Sequence, residues 1–350
     1  MSEDKPLRIV AIGGGTGLSA LLHGLKRYTR PGPPEAPDRP LVDITAVVTV
    51  TDDGGSSGRL RRDFEVLPPG DIRNCMVALS EDEALLARLF QYRFQSGRGL
   101  KGHSFGNLFL TAMSHITGDF HEAVKISSEV LRIAGSIYPA TASNVALEAV
   151  LEDGTLVAGE SRISRSRRPI DRIRLRPRRC KPLKETLAAI AAADLITLGP
   201  GSLFTSVIPN LLVDGVPDAI RRSQAVKAYF VNLMWQPGET MQYRASDHVR
   251  ALYRHSVPDL VDYAVVNIRN VRRSLQKQYA RQHARPVELD FNELNDMGLE
   301  VVAGNLLQES EKVRHNPEAV ASVAVQLARE GRLRRELAAH EAEKSIWKRR

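Results

Sequence analysis

Cysteine is almost missing from this chain. Cys75 and Cys180 are the only two in 350 residues, far apart and in no CxxC or Cys/His spacing, which excludes a disulfide framework and a structural zinc site. Long apolar runs are missing too. No eighteen-residue apolar span occurs, and the polar start MSEDKPLR has neither the charged n-region nor the apolar h-region of a secretory signal. The expectation is a cytoplasmic protein with no membrane insertion. The signatures of nucleophilic and zinc-protease chemistry are also absent: there is no G-x-S-x-G elbow, no H-E-x-x-H, and no cysteine with an evident histidine partner. No residue is assigned a catalytic role.

What the chain does have is a local excess of positive charge. The formal net charge is +8, but residues 161–181, SRISRSRRPIDRIRLRPRRCK, hold ten Arg/Lys against one Asp. The remainder is close to neutral, so a general polyelectrolyte surface is not implied. Arg172, Arg174 and Arg176 alternate with Ile173 and Leu175, which puts three guanidinium groups on one face of a strand. With no aromatic residues between them, a solvated or oligomer-facing edge fits better than an RNA platform. Nucleic acid is therefore not an expected partner, while a homo-oligomer and a regulatory protein partner remain open.

The pattern of elements predicts an α/β fold. LRIVAIG, VDITAVVTV, DLITLG, AVKAYFVNL and VDYAVVNI read as strands covered on both faces, and helical stretches alternate with them. The expectation is a Rossmann-like, mostly parallel sheet with helices on both faces. Between about 144 and 180 two apolar runs flank EDGT, an Asp-Gly hairpin signal, so an antiparallel insertion is predicted there. RPGPPEAPDRP at 30–40 reads as an exposed connection. The nucleotide-binding domain is placed at 1–310, and 311–350 is read as a charged helical extension facing solvent.

Six stretches carry candidate chemistry. IGGGTGLS lies between a strand and a helix, so Gly14, Gly15, Thr16 and Gly17 offer backbone amides and a positive helix end to an anion. It is not a P-loop, since no Gly-Lys-Ser/Thr follows. TVTDDGGSSGRLRRDF ends the second strand in Asp52 and Asp53, beside the glycine turn. These carboxylates suit ribose hydroxyls or a Mg2+ ion bridging to phosphate, with a helix N-cap or Asx-turn as the alternative. Ser56 and Ser57 follow. In LPPGDIRNC, Asp71 is placed to cap a helix, and Arg73 in its first turn is expected to face an anion, either a ligand phosphate or the acidic pair. KGHSFGNL offers His103 and Asn107 near a helix start capped by Ser104. ITLGPGSLFTSVIPNLL supplies a second glycine turn, Gly199, Pro200, Gly201 and Ser202, with Ser202 as a cap. VNLMWQPGETMQY adds Asn232, Gln236 and Glu239 on the same edge of the sheet.

Taken together, GGGTGLS, VTVTDDGGSSGRLR, PPGDIRNC, HSFGNL, LGPGSLFTSVIPNLLV and QPGET resemble the gluconeogenesis factor family, also called YvcK-like, within the CofD-like superfamily. The resemblance spans about 10–310. It implies a Rossmann-like fold, cytoplasmic location, binding of UDP-sugars, and a role in growth on gluconeogenic carbon sources and in cell shape. The CofD branch, 2-phospho-L-lactate transferases of coenzyme F420 synthesis, has an acidic pair after its second strand that is associated with magnesium, and Asp52 and Asp53 match it. Its loop, similar to G-G-x-G-G-x-K, is matched less well by GGGTGLS, which lacks the lysine. Trp235 stands where many relatives carry threonine.

Overall fold

The structure is a computed structural model that describes residues 5–30, 41–81 and 85–347; the proline-rich connection at 31–40 lies outside them. The strands in chain order are β1 (Leu7–Gly13), β2 (Val42–Val48), β3 (Ser136–Pro139), β4 (Ala146–Leu151), β5 (Leu156–Ala158), β6 (Ile170–Arg176), β7 (Leu195–Leu198), β8 (Val226–Phe230), β9 (Tyr263–Asn267), β10 (Glu300–Gly304), β11 (Leu307–Glu309) and β12 (Val313–His315). Seven of them form one sheet in the order β10-β9-β8-β7-β1-β2-β3, and every neighbouring pair is parallel. The sequence explains the centre of this sheet: Ile9, Ala11, Ile12, Ile44, Ala46, Val47, Leu195, Ile196 and Leu198 are fully buried, as strands covered on both faces must be.

The order reverses between β1 and β7. From β1 the chain moves outward to β2 and β3, while from β7 it moves the other way through β8, β9 and β10. Right-handed crossovers then place the connecting helices of the two halves on opposite faces. Such a reversal leaves a crevice beyond the carboxyl ends of the two central strands, where open α/β sheets bind ligands.

Two helices line that crevice, α1 (Gly15–Leu25) and α3 (Gly70–Leu79), and between them in the chain lies α2 (Gly55–Phe64). α2 starts directly after the acidic pair, in the GGSSG stretch. Gly58 sits in the helix because its Cα packs onto the carbonyl of Asp53, where a side chain would collide. The predicted insertion is a three-stranded antiparallel sheet, β5-β4-β6, with its hairpin at Asp153-Gly154, where Gly154 has φ +80°.

The charged C-terminal segment is one helix, Pro317–Trp347, and its first half does not face solvent as expected. Val320, Ala321, Ala324, Val325, Leu327 and Ala328 belong to the core and pack on α1, β1, β7 and β8. Its charges found a buried partner: Asp194, fully inaccessible, accepts from Arg332 Nη2 at 2.7 Å, pairs with Arg335, and accepts the backbone amide of Arg8 at 2.8 Å. Among the described residues no single helix is long and apolar enough to cross a membrane.

Candidate functional site

α1 begins without a side-chain cap and without an acidic residue in its own first turn; the Asp71 carboxylate from α3 takes the Gly15 amide, and the amides that follow it are the ones left to an anion at the positive helix end. Gly15 turns the chain into the helix with φ +63°, a conformation that costs any other residue energy. The second glycine turn lies against it. Gly199 N donates to Ile12 O at 2.9 Å, and a Cβ on Gly17 would stand only 2.5 Å from the carbonyl oxygen of Pro200. Asn210 Nδ2 reaches Gly13 O at 3.3 Å. The two turns are therefore one wall, held together by the absence of side chains.

In front of this wall opens a cleft of about 840 Å³, within the range of roughly 300–1,000 Å³ typical of small-molecule sites. Gly14, Gly15, Thr16, Gly17, Gly201, Ser202 and Asn232 line it, as do Trp235, Gln236 and Glu239. The polar rim is tied into one network: Asn232 Nδ2 donates to Gly201 O at 3.1 Å and to Gln236 Oε1 at 3.0 Å, and Gln236 Nε2 donates to Ser202 Oγ at 2.7 Å. Ser202 is thus a hydrogen-bond acceptor from Gln236, and its side chain makes no cap bond to the helical turn that follows. Glu239 is buried against Thr205, 3.3 Å away, and Ser164, 3.1 Å away. Burial raises its carboxyl to about 7.

The six motifs of glycine, acid and amide follow one another along a parallel sheet with this crevice at its strand reversal. The family model for 2-phospho-L-lactate transferase CofD matches residues 9–307. The chain is 47% identical to the gluconeogenesis factor of Bacillus subtilis, covering 93% of this chain and 99% of that one. The chain belongs to the gluconeogenesis factor family, within the CofD superfamily. It is 50% identical to the putative gluconeogenesis factor of Nostoc sp. over 90% of this chain and 67% of that one. A crystallised protein of Bacillus halodurans has the same fold, with a TM-score of 0.86, 45% identity, and coverage of 92% of this chain and 100% of that chain.

In this family member, the other predicted residues form a second cluster and are not among those that line the cleft. Asp52 Oδ1 accepts Gly54 N at 2.8 Å, while Asp53 Oδ1 accepts Ser161 N at 2.9 Å. The Asx-turn alternative describes Asp52, and Asp53 serves to hold the insertion. Among the described residues no three His, Cys, Asp or Glu side chains are placed to hold a metal ion. Ser56 Oγ meets His103 Nδ1 at 2.9 Å, and Asn107 Nδ2 donates to Ser56 and Ser57 at 3.1 and 3.4 Å. All four are buried, and burial lowers the His103 pKa. Arg73 donates to Ser104 Oγ and Asn74 Oδ1, each at 2.6 Å. It lies near Asp71 and Asp52, one member of the acidic pair.

Asp71 corrects a reading: it makes no cap bond on α3. Its carboxylate instead accepts the Gly15 amide, and burial together with Asp52 raises it to about 6. Glu160, which no motif pointed to, is raised to about 9 by burial and by Asp52, Asp71, Glu239 and Asp53 around it. The far wall of the cleft was equally unread. Tyr279, Gln282, Gln308, Arg314 and His315 line it, brought in by the helix Arg273–Ala280 and the β11–β12 hairpin. Asn74 and Ser206 also line it, and both sit inside stretches the motifs had marked.

Proposed function

We propose that this protein binds a UDP-sugar in the cleft and acts in the cytoplasm as a regulator of growth on gluconeogenic carbon sources, as the names of its relatives suggest for them. The observation that carries the reading is the joined glycine wall at the start of α1. A diphosphate is the ligand group that needs several unpaired amides and a positive helix end without any lysine. Trp235 and Tyr279 offer aromatic surface for a base or sugar, with the indole fixed by its Nε1 bond to Tyr243 O at 3.0 Å.

Calorimetry with UDP-N-acetylglucosamine tests this. Gly15→Asp combines backbone strain with a carboxylate facing the diphosphate, and Thr16→Glu adds the charge alone. Each is expected to lower affinity at least about 100-fold, near 2.7 kcal/mol. Unchanged binding in both would remove the placement.

A second reading, a transferase of the CofD type, is favoured by Glu239. A carboxylate near 7 at the cleft wall is poised as a general base for an acceptor hydroxyl. Incubation with a guanylated lactyl donor and a deazaflavin acceptor decides it: product that disappears in Glu239→Gln supports transfer, and no product at high protein concentration refutes it.

A further inference from the structure

The solvent face of the small sheet has a layout unlike a merely solvated edge. On its inner face Leu147, Ala149, Leu151, Val157, Ile173 and Leu175 join the core. The outer face is read from the register: Leu156, Val150 and Arg172 form one row across the sheet, and Ala158, Glu148 and Arg174 the next. The outer face is therefore split lengthwise. Its β5 side is aliphatic, with Leu156 56% exposed, its β4 centre holds Val150 and the buried Glu148, and its β6 side is a column of arginines.

Those arginines are not spent on the protein itself. Arg176 is paired with Glu148 at 2.6 Å, which places that acid under the column. Arg172, Arg174, Arg178 and Arg179 have no hydrogen bond or ion pair from their side chains among the described residues. The rest of the chain carries almost no net charge, so the excess positive charge of the protein is concentrated at this face and calls for an acidic partner.

We propose that this face is a docking surface for an acidic amphipathic helix of another protein. Successive arginines on β6 are about 7 Å apart, and the β5 column lies about 10 Å from the β6 column. A helix about 10 Å wide laid along the strands seats an apolar stripe on Leu156, Ala158 and Val150 and brings carboxylates on its flank to Arg172 and Arg174. RNA is the poorer fit, because half of the face is aliphatic and it bears no aromatic ring on which bases could stack. The insertion is also bonded to the ligand site through Ser164 Oγ to Glu239 at 3.1 Å, and to the neighbouring cluster through Ser161 N to Asp53 at 2.9 Å. A partner seated on it stands one hydrogen bond from the cleft, whatever ligand the cleft holds.

The test is fluorescence anisotropy with a labelled helical peptide that carries a leucine stripe flanked by glutamates, run against a scrambled peptide of the same composition and against poly(U). The full-length protein is expected to bind the amphipathic peptide at least about tenfold more tightly than the scrambled one. Arg172→Glu/Arg174→Glu and Leu156→Asp are each expected to weaken binding about tenfold or more while melting like the parent. Should the double reversal not fold, Arg172→Gln/Arg174→Gln replaces it. Equal binding of the two peptides, or no binding of either, overturns the proposal. So does tighter retention of poly(U) that the arginine variants abolish and Leu156→Asp leaves intact, which would make the face a nucleic-acid surface.

Discussion

At Gly17 a single methyl group decides whether the two glycine turns can touch. In an exposed helix, alanine would be favoured over glycine by roughly 1 kcal/mol. Here its Cβ would meet the Pro200 carbonyl at 2.5 Å, and overpacking against backbone costs about 1–3 kcal/mol, so the clash wins. Gly17→Ala is expected to lower stability in urea unfolding and to weaken UDP-sugar binding as the wall opens. Glu160 gives a second prediction. Its folded pKa of about 9 lies above that of an unfolded glutamate, near 4.3, so the native state holds the proton more tightly. Stability therefore falls as pH rises from about 4 towards 9. Glu160→Gln should flatten that decline, leaving the variant more stable than the parent by about 1–3 kcal/mol at pH 8 and equal to it below pH 4, as thermal melts across pH would show. The glycine turns could be read from composition because glycine between a strand and a helix has few other uses. Asp71 and Glu160 could not: an acid in a first turn reads as a cap, and only the fold shows that one reaches the Gly15 amide and that the other stands among four carboxylates.

Among the elements, the strands with continuous apolar runs could be found from sequence, and those without could not. β1, β2, β7, β8 and β9 are buried on both faces and say so in their residues. β3 and β10 are edge strands of the sheet, short or partly exposed, and carry no such signal. The C-terminal helix misled for a different reason: its arginines look like a solvated face, yet Arg332 and Arg335 neutralise the one carboxylate buried beneath them, Asp194. Removing that acid leaves two half-buried guanidinium groups unpaired and the Arg8 amide without its acceptor. Asp194→Ala is expected to destabilise by about 3–5 kcal/mol, measured by chemical unfolding, with the helix released from β1 and β7.

Across the whole molecule a histidine ties the insertion to the helix Ala245–His255 of the main domain. His255 Nδ1 bonds to Ala251 O at 2.7 Å and so carries the proton, leaving Nε2 to accept Ile173 N of β6 at 2.9 Å. Burial lowers the His255 pKa. A ring protonated on both nitrogens cannot accept, so this link contributes above the unfolded pKa of about 6.5 and is lost as pH falls through the lowered folded value. Hydrogen exchange should find the Ile173 amide protected at pH 7.5 and opening faster on acidification, after correction for intrinsic rates. In His255→Leu the protection should be low and the correction alone should account for the pH dependence.

The sequence by itself determined the class of fold, the two glycine turns, the antiparallel insertion and its stripe of arginines, because each is written in residues close together: apolar runs, glycines between elements, an Asp-Gly hairpin, alternation along one strand. Tertiary structure alone decided what those pieces meet. Chain reversal between β1 and β7 sets residues 13–17 against 199–202, the β11–β12 hairpin closes the far wall, and Asp52 and Asp53 turn away to separate amides. Contacts between segments far apart along the chain depend on strand order and crossover hand, and local residue patterns do not record either.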